Sequence, residues 1–340
     1  MSLPEDQPLG HPAATPARRA VIAGIRRRLE ARTWQEWVRT YAVVLMLVAL
    51  FVVLAVASPA FLSTQNLINI LNEQAPLLII ASAGTMVIIA GGFDLSTGAI
   101  AAVANICAAW LAVRSGAPLG LAAAPLVGLL LGVINGVVIA GLKIHSFLAT
   151  LASSLVYSSL ALLISGGFLI PVPDPLFTSL GLGQWGAIPV AVVTMATFVI
   201  VAGLLLSRTV YGRYVFAVGG NAEAAELSGV QVGAVRIGTF AFSGLAAGLA
   251  GALIVSRIAS GEPQSGLTLT LPAIAAVILG GTSIYGGVGA IWRSVVGVLL
   301  LALIENGFNL LNANPFLRDL VTGMVIVFAV ALSAIGGRRR

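Results

Sequence analysis

The chain has 340 residues, of which 59% are hydrophobic and 9% are charged. A water-soluble domain normally carries about a quarter charged residues, so this composition excludes a soluble globular protein. The formal net charge of the chain is +6, and a positive net charge is also typical of nucleic-acid-binding proteins. The basic residues here, however, lie between long apolar runs, which favours a membrane protein.

Apolar runs alternate with short polar segments along the chain. A transmembrane helix needs roughly 20 residues to cross about 30 Å of hydrocarbon, whereas barrel strands would alternate in shorter segments. The sequence therefore predicts an all-α, polytopic transmembrane helical bundle. Its ten candidate spans cover residues 41–57, 75–91, 98–113, 121–141, 147–165, 187–206, 238–256, 271–285, 290–311 and 318–335. Several are short or contain Gly or Pro, which predicts broken or re-entrant helices.

The predicted domain organisation places a transmembrane domain at residues 41–335, with a polar cytoplasmic loop at 207–237. A basic cytoplasmic segment (1–40) precedes it and a basic cytoplasmic tail (336–340) follows it. The first forty residues are too long and too polar for a cleavable signal peptide, so we expect the first span to stay as an anchor.

The distribution of Lys and Arg predicts the orientation, because cytoplasmic loops carry an excess of both. With the N-terminus inside, an even number of spans leaves both termini in the cytoplasm. Only three basic residues then lie outside, namely Arg114, Arg257 and Arg318. The fifteen inside are Arg18, Arg19, Arg26, Arg27, Arg28, Arg32, Arg39, Lys143, Arg208, Arg213, Arg236, Arg293, Arg338, Arg339 and Arg340.

The chain lacks the sequence motifs of an ATPase or a metalloenzyme. Lys143 is the only lysine and follows Leu142, so there is no phosphate-binding loop of the Gly-x-x-x-x-Gly-Lys type. His11, His145 and Cys107 are too few and too scattered for a metal site, and a single cysteine forms no internal disulfide. We therefore expect no catalytic residue, metal or cofactor in this chain.

The polar loop 207–237 contains the signals of one short helix. Asn221 is a good N-cap residue, Glu223 lies in the first turn where the helix dipole favours an anion, and Gly229 is suited to end the helix. We predict two turns over about 222–228, with small side chains at Ala222, Ala224, Ala225 and Ser228. Two interpretations stay open: a solvated connector, or a docking element for a cytoplasmic partner.

Asp94 and Ser96 are polar residues between apolar runs, where an unpaired charge is costly. An Asp-x-Ser entry to an apolar run is good capping chemistry, so we expect Asp94 or Ser96 to cap a half-helix that begins near Thr97. In the other interpretation this broken segment lines a path through the protein. Asn105 faces either the cavity or a neighbouring helix, and Asn306 either forms a helix–helix hydrogen bond or lies on the path. Glu305 either faces the path or is protonated and packed.

The sequence also contains a short internal echo. The stretch "VIIAGG" at 87–92 is similar to "VILGGTS" at 277–283. Many transporters contain internal duplications, so the echo is compatible with one, although the flanking spacings do not match well.

The stretch "GRYVFAVGGNAEAAELSGV" at 212–230 resembles the cytoplasmic coupling segment of the permeases of ribose/galactose-type (monosaccharide) ABC importers. This family also includes branched-chain amino-acid permeases. Four further stretches resemble it in the same order: "AGGFDLSTGAI" at 90–100, "GVINGVVIAGLKIHSFLATL" at 132–151, "AIAAVILGGTSIYGGVGAI" at 273–291 and "ENGFNLL" at 305–311. Together they cover nearly everything from about residue 60 to 330. The resemblance identifies the chain as a permease of this type.

The resemblance implies a division of labour between subunits. ATP and Mg²⁺ would be used by a separate cytoplasmic ABC ATPase, and a periplasmic or lipid-anchored solute-binding protein would deliver a sugar. Two permease copies, identical or closely related, would line the path in the bacterial inner membrane. The ATPase-coupling residues would be Gly219, Gly220, Asn221, Glu223, Ala224, Ala225, Ser228 and Gly229. The residues of the translocation path would be Asp94, Ser96, Asn105, Glu305 and Asn306.

Two other functions remain as alternatives. A branched-chain amino-acid permease shares the general fold, but "GGFDLSTG" at 91–98 matches the sugar-type pattern better. An ion-coupled secondary transporter is disfavoured, because buried ionisable residues are scarce and the inner polar loop is long. The sequence does not name the solute, since hydroxyl recognition in this family lies chiefly in the binding protein.

Overall fold

A computed structural model describes residues 41–314, 316–325 and 327. The predicted basic segments 1–40 and 336–340 lie outside the described residues, as does much of the predicted tenth span. The described helices are α1 (Tyr41–Ala57), α2 (Thr64–Ile89), α3 (Thr97–Ser115), α4 (Ala117–Leu142), α5 (Ser146–Ser165), α6 (Val190–Arg208), α7 (Val210–Gly220), α8 (Ala222–Leu227), α9 (Val232–Ile258), α10 (Thr270–Leu279), α11 (Ile291–Leu310) and α12 (316–325). Two short antiparallel strand pairs join β1 (Ile170–Pro171) to β4 (Ser260–Gly261), and β2 (Gln184–Trp185) to β3 (Ile188–Pro189).

Seven of the described helices are long and apolar enough to cross a membrane, namely α2, α3, α4, α5, α6, α9 and α11. This confirms the prediction of a polytopic helical bundle, while the number of spans and the side on which each terminus lies stay predictions. The predicted span 271–285 is wrong in its extent, because α10 ends at Leu279. Its 10 residues rise only about 15 Å, half the thickness of the hydrocarbon layer.

Helices α4 and α9 pack backbone against backbone at the centre of the fold. Gly128 and Gly132 of α4 face Gly244 and Gly248 of α9, and a Cβ added at any of the four would overlap backbone atoms of the opposite helix. Without a hydrophobic driving force between helices in lipid, such close packing supplies much of the association energy. Helices α2 and α3 pack against α9, so α9 forms the centre of the bundle.

Gly128→Ala should therefore lower the thermal stability of the protein, whereas Gly141→Ala on the same helix should not. A Cβ at Gly128 would overlap the carbonyl oxygen of Gly244 and lie 2.7 Å from the Cα of Gly248, but a Cβ at Gly141 has no neighbour within 4 Å. Overpacking of this kind costs about 1–3 kcal/mol. Thermal unfolding of the two purified variants in detergent tests this, and equal midpoints would contradict the tight packing of α4 on α9.

Candidate functional site

Two helices, α2 and α10, end with the same backbone geometry. In each, the residue two positions past the C-cap donates its N–H to the third-last helical carbonyl, and a glycine with positive φ precedes that donor, as in a Schellman motif. After α2 the bond runs from Gly92 to Val87 (2.9 Å) with Gly91 at φ +80°; after α10 it runs from Thr282 to Val277 (3.2 Å) with Gly281 at φ +89°. The echo between 87–92 and 277–283 thus corresponds to the same kind of helix end at two places. Each of these two points, where a helix stops and the chain turns away, is called a chain break below.

The two chain breaks meet the end of α7. The N–H of Gly287 donates to the carbonyl oxygen of Ile89 at 2.8 Å. A Cβ at Gly219 would overlap this same oxygen, and a Cβ at Gly286 would lie 2.7 Å from the carbonyl oxygen of Gly219 and 3.1 Å from the Cα of Gly91. These four glycines, Gly91, Gly219, Gly286 and Gly287, are called the glycine junction below. No side chain separates the three backbone segments there.

Helix α8 forms as its capping residues predict. The side chain of Asn221 accepts from the N–H of Ala224 at 3.0 Å. At the other end Gly229 has φ +84°, and the N–H of Val230 donates to the carbonyl oxygen of Ala225 at 3.0 Å. The helix spans Ala222–Leu227, one residue shorter than predicted.

The rest of the predicted loop 207–237 is mostly helical, which the sequence prediction missed. Helix α7 follows α6 almost at once, and its first turn is capped by Thr209, which accepts from the N–H of Gly212 at 3.1 Å. The hydroxyl of Tyr211 donates to the carbonyl oxygen of Val235 at 3.1 Å, fixing α7 against α9. Burial raises the pKa of Tyr211 above its ordinary value, which already keeps the hydroxyl protonated at physiological pH. The glycines of α7 have low helix propensity, which hid this helix.

The face that α8 presents outward differs from the predicted one. Ala225 was expected to face a partner, but it is 5% exposed and packs against the bundle, with Val230 beside it. Leu227 is 85% exposed instead. The sequence prediction left it out, although it is the only large apolar side chain in this helix. Its exposed neighbours on α8 and its caps are Asn221, Glu223, Ala224, Glu226, Ser228 and Gly229.

Asp94 lies in a buried polar network at the break between α2 and α3. One carboxylate oxygen accepts from the N–H and the hydroxyl of Ser96 (3.0 and 2.6 Å), and the other accepts from the hydroxyl of Ser243 on α9 (2.7 Å). The Ser96 hydroxyl also accepts from the amide of Asn135 at 2.7 Å, and Tyr157 donates to the Asn135 carbonyl at 3.0 Å. The network thereby joins the break to α4, α5 and α9.

The predicted start of α3 at Thr97 is confirmed and Ser96 is its N-cap residue, but the prediction that the side chain of Asp94 or Ser96 satisfies the first turn is wrong. Asp94 bonds the N–H of Ser96, which precedes the helix, and Ser96 makes no side-chain bond to the first turn. The hydroxyl oxygen of Thr270 on α10 accepts from the N–H of Gly98 at 2.9 Å and lies 3.3 Å from the hydroxyl of Thr97. A residue distant in sequence satisfies the helix terminus, and this leaves Asp94 free to anchor the break.

Asn105 lies on α3, about two turns after Thr97, and is fully buried. Its side-chain oxygen accepts from the N–H of Glu262 at 2.9 Å, which fixes the segment between α9 and α10 against α3. Its amide nitrogen is buried without a hydrogen-bond partner among the described residues. Of its two predicted roles, the structure thus shows a structural hydrogen bond.

Glu305 and Asn306 lie together on α11, but the structure pairs them with α2 and not with Asp94, Ser96 or Asn105. Glu305 accepts from the amide of Gln74 at 3.1 Å. Asn306 and Asn66 exchange two amide hydrogen bonds of 2.8 and 3.2 Å. The five predicted path residues are therefore not one cluster, and each makes a contact between segments of the bundle.

Asp94→Asn should fold and keep most of its stability, whereas Asp94→Leu should yield little folded protein. An asparagine keeps one acceptor for Ser96, and the Ser243 hydroxyl can rotate to accept from the new amide. A leucine leaves one N–H and two hydroxyls without their acceptor in a buried site, at about 1–3 kcal/mol each. Size-exclusion profiles and thermal midpoints of the detergent-solubilised variants test this, and normal folding of the leucine variant would contradict an anchoring role.

Comparisons with known proteins identify the family to which this chain is similar. The family model described as "Branched-chain amino acid transport system / permease component" matches residues 66–330. The chain is 35% identical over 289 residues to the ribose import permease protein RbsC of Haemophilus influenzae (84% of this chain, 90% of that protein) and 37% identical over 299 residues to RbsC of Bacillus subtilis (83% and 89%). It is 35% identical over 300 residues to the L-arabinose transport system permease protein AraH of Escherichia coli (88% and 90%).

No solved structure gives a significant match. The family model nevertheless spans most of the chain, from the first turn of α2 into α12 and beyond. It includes both chain breaks, the glycine junction and α8. The chain therefore belongs to this family of import permeases, and its curated relatives include ribose and arabinose permeases.

Proposed function

We propose that this chain is the permease subunit of an ABC importer for a monosaccharide or a similar small polyhydroxylated solute. The observation that carries the proposal is the similarity to relatives named as ribose and L-arabinose permeases over more than four fifths of this chain. In this proposal the chain is no enzyme and binds no cofactor itself. Separate ATPase subunits hydrolyse ATP with Mg²⁺ in the cytoplasm.

Helix α8 is the element that we assign to the ATPase. Six residues are too short to be stable alone, so both caps and the buried Ala225 hold the helix on the bundle. Leu227, projecting from it, supplies an apolar anchor that a partner groove would bury. Burying such an apolar side chain in a partner groove stabilises the complex through the hydrophobic effect.

The glycine junction connects α8 to both chain breaks. Because only Asn221 separates the end of α7 at Gly220 from the start of α8 at Ala222, a displacement of α8 moves Gly219 as well. Gly219 lies directly against Ile89 and Gly286, at the two breaks. This is the route by which we infer that closure of the ATPase reaches the membrane helices. The residues that we assign to coupling are Gly219, Asn221, Glu223, Ala224, Leu227, Ser228 and Gly229, with Ala225 in a supporting role. Gly220, which the sequence also predicted for coupling, is left out of this assignment, because a Cβ there has no neighbour within 4 Å.

A second permease copy, the same or a close relative, would complete the path, and a periplasmic or lipid-anchored binding protein would deliver the solute. The test is to purify the permease with its ATPase and binding protein in proteoliposomes and measure ATP hydrolysis against a panel of solutes. We expect a pentose or hexose to stimulate hydrolysis through the binding protein. Stimulation by branched-chain amino acids alone would instead favour the second candidate, which the description of the matching family model suggests.

The proposed orientation places both termini in the cytoplasm of a bacterial cell and the protein in the inner membrane. Cysteines introduced at Ser2 or Gly337 should therefore resist a membrane-impermeant maleimide in intact cells and react after permeabilisation. A cysteine introduced next to Arg114, on the predicted outer side, is the positive control. Labelling of the terminal cysteines in intact cells would reverse the orientation and move α8 away from the ATPase.

A further inference from the structure

A cavity of about 300 Å³ opens beside the chain break after α2. It lies between the end of α2, the short turn that joins α4 to α5, and the first turns of α9. Its polar lining comes from the backbone of Gly91 and Gly92 and from the side chains of Lys143, His145, Ser146, Arg236 and Thr239. In the part of the chain that the structure describes, no acidic side chain lines the cavity. The charges of its three basic residues are therefore not neutralised by a carboxylate within the lining.

Two basic side chains of this cavity have no partner in the part of the chain that the structure describes. Neither the ammonium group of Lys143 nor the guanidinium group of Arg236 has an ion pair or hydrogen bond among the described residues. In His145, Nδ1 accepts from the N–H of Phe147 at 3.3 Å, which leaves Nε2 for a ligand. Lys143 also has φ +54°, a left-handed conformation that glycine would adopt at lower cost.

The surface beside the cavity is apolar and exposed. Leu142 and Leu148 are 69% and 64% exposed, and Ile144 and Phe147 are also exposed. These residues alternate with or directly follow the basic ones along the same turn, so a ligand with a charged head and apolar chains would match both surfaces. Basic pockets between transmembrane helices on the cytoplasmic side bind the head groups of anionic lipids in this way.

We propose that this cavity binds the phosphate head group of an anionic phospholipid of the cytoplasmic leaflet, with the acyl chains lying along the exposed apolar residues of the α4–α5 turn. The bound lipid would stabilise the chain break after α2, because Gly91 and Gly92 form part of the cavity wall and also part of that break. The side of the membrane follows the orientation proposed above. The binding itself does not depend on transport.

The test is lipid binding to the full-length permease purified with its ATPase and stripped of native lipid. Native mass spectrometry counts bound lipids during titration with dioleoyl phosphatidylglycerol or with dioleoyl phosphatidylcholine, which has the same chains and phosphate but no net charge. We expect the anionic lipid to bind at several-fold lower concentration. Removing one cation, with Lys143→Gln or Arg236→Gln, should lower the affinity for the anionic lipid about fivefold, and removing both should lower it about 25-fold.

Arg208→Gln is the matched control, because Arg208 is an exposed basic residue at the end of α6 that does not line the cavity. Its affinity for the anionic lipid should stay within twofold of that of the unmodified protein. Equal affinity of the double variant and the unmodified protein would overturn the proposal. Displacement of the lipid by millimolar inorganic phosphate, with no preference between the two lipids, would overturn it in favour of a soluble anion. The comparison of the two lipids on the unmodified protein does not depend on how well any variant folds.

Discussion

Leu227→Arg is expected to remove the ATPase from the purified complex and to abolish transport, while the permease itself inserts and folds normally. Because Leu227 is 85% exposed on α8, its replacement breaks no contact within the bundle. Burial of a leucine side chain in a partner groove contributes about 2–3 kcal/mol, or about 30- to 150-fold in Kd. An arginine would also place an unpaired charge in that groove, so the loss should reach at least this range.

Co-purification of the ATPase through a tag on the permease measures this effect, together with uptake into proteoliposomes. Val210→Arg is the matched control: Val210 is also an exposed apolar residue, at 51%, but lies at the start of α7. It should keep the ATPase. Ala225→Arg should behave differently from both, because this buried position would lower the amount of folded permease. A Leu227→Arg variant that retains the ATPase and transports normally would refute the assignment of α8.

The contrast between Ala225 and Leu227 shows what the sequence could and could not predict. The existence of α8 follows from local chemistry, since Asn221 and Gly229 bond to backbone groups within a few residues of themselves. Which face of α8 is exposed does not follow from local chemistry. Ala225 is buried because of what α7 and α9 place around it, and those contacts are set by parts of the chain outside the helix. Local signals therefore predicted the element but not its free surface.

The same limit explains the error at Asp94. Its spacing from Ser96 suits a cap, but the first turn of α3 is satisfied by Thr270, which lies 172 residues from Gly98 in the sequence. Once that acceptor is present, Asp94 bonds Ser243 of α9 instead. The echo of the two chain breaks, in contrast, was readable in sequence because a Schellman motif requires only a short local pattern with a glycine at positive φ.

Gly219→Ala is expected to separate ATPase binding from transport. The added methyl group would overlap the carbonyl oxygen of Ile89 and lie 2.7 Å from the nitrogen of Gly287, the two atoms that share the hydrogen bond between the chain breaks. Backbone atoms cannot rotate away as a side chain can, so the end of α7 must shift, at a cost of about 1–3 kcal/mol. The exposed face of α8 is unchanged. The ATPase should therefore co-purify within about threefold of the normal level, while solute uptake falls at least tenfold.

Gly220→Ala supplies the control for this variant at the adjacent position. A Cβ at Gly220 has no neighbour within 4 Å and its φ is not positive, so the same methyl group is accommodated there without strain. Uptake by this variant should stay within twofold of normal. The decisive quantity is the number of ATP molecules hydrolysed for each solute taken up in proteoliposomes, which should rise in Gly219→Ala and not in Gly220→Ala. If the two variants transport at equal rates, the glycine junction does not transmit ATPase closure, and α8 must act on the bundle through its contacts with α9.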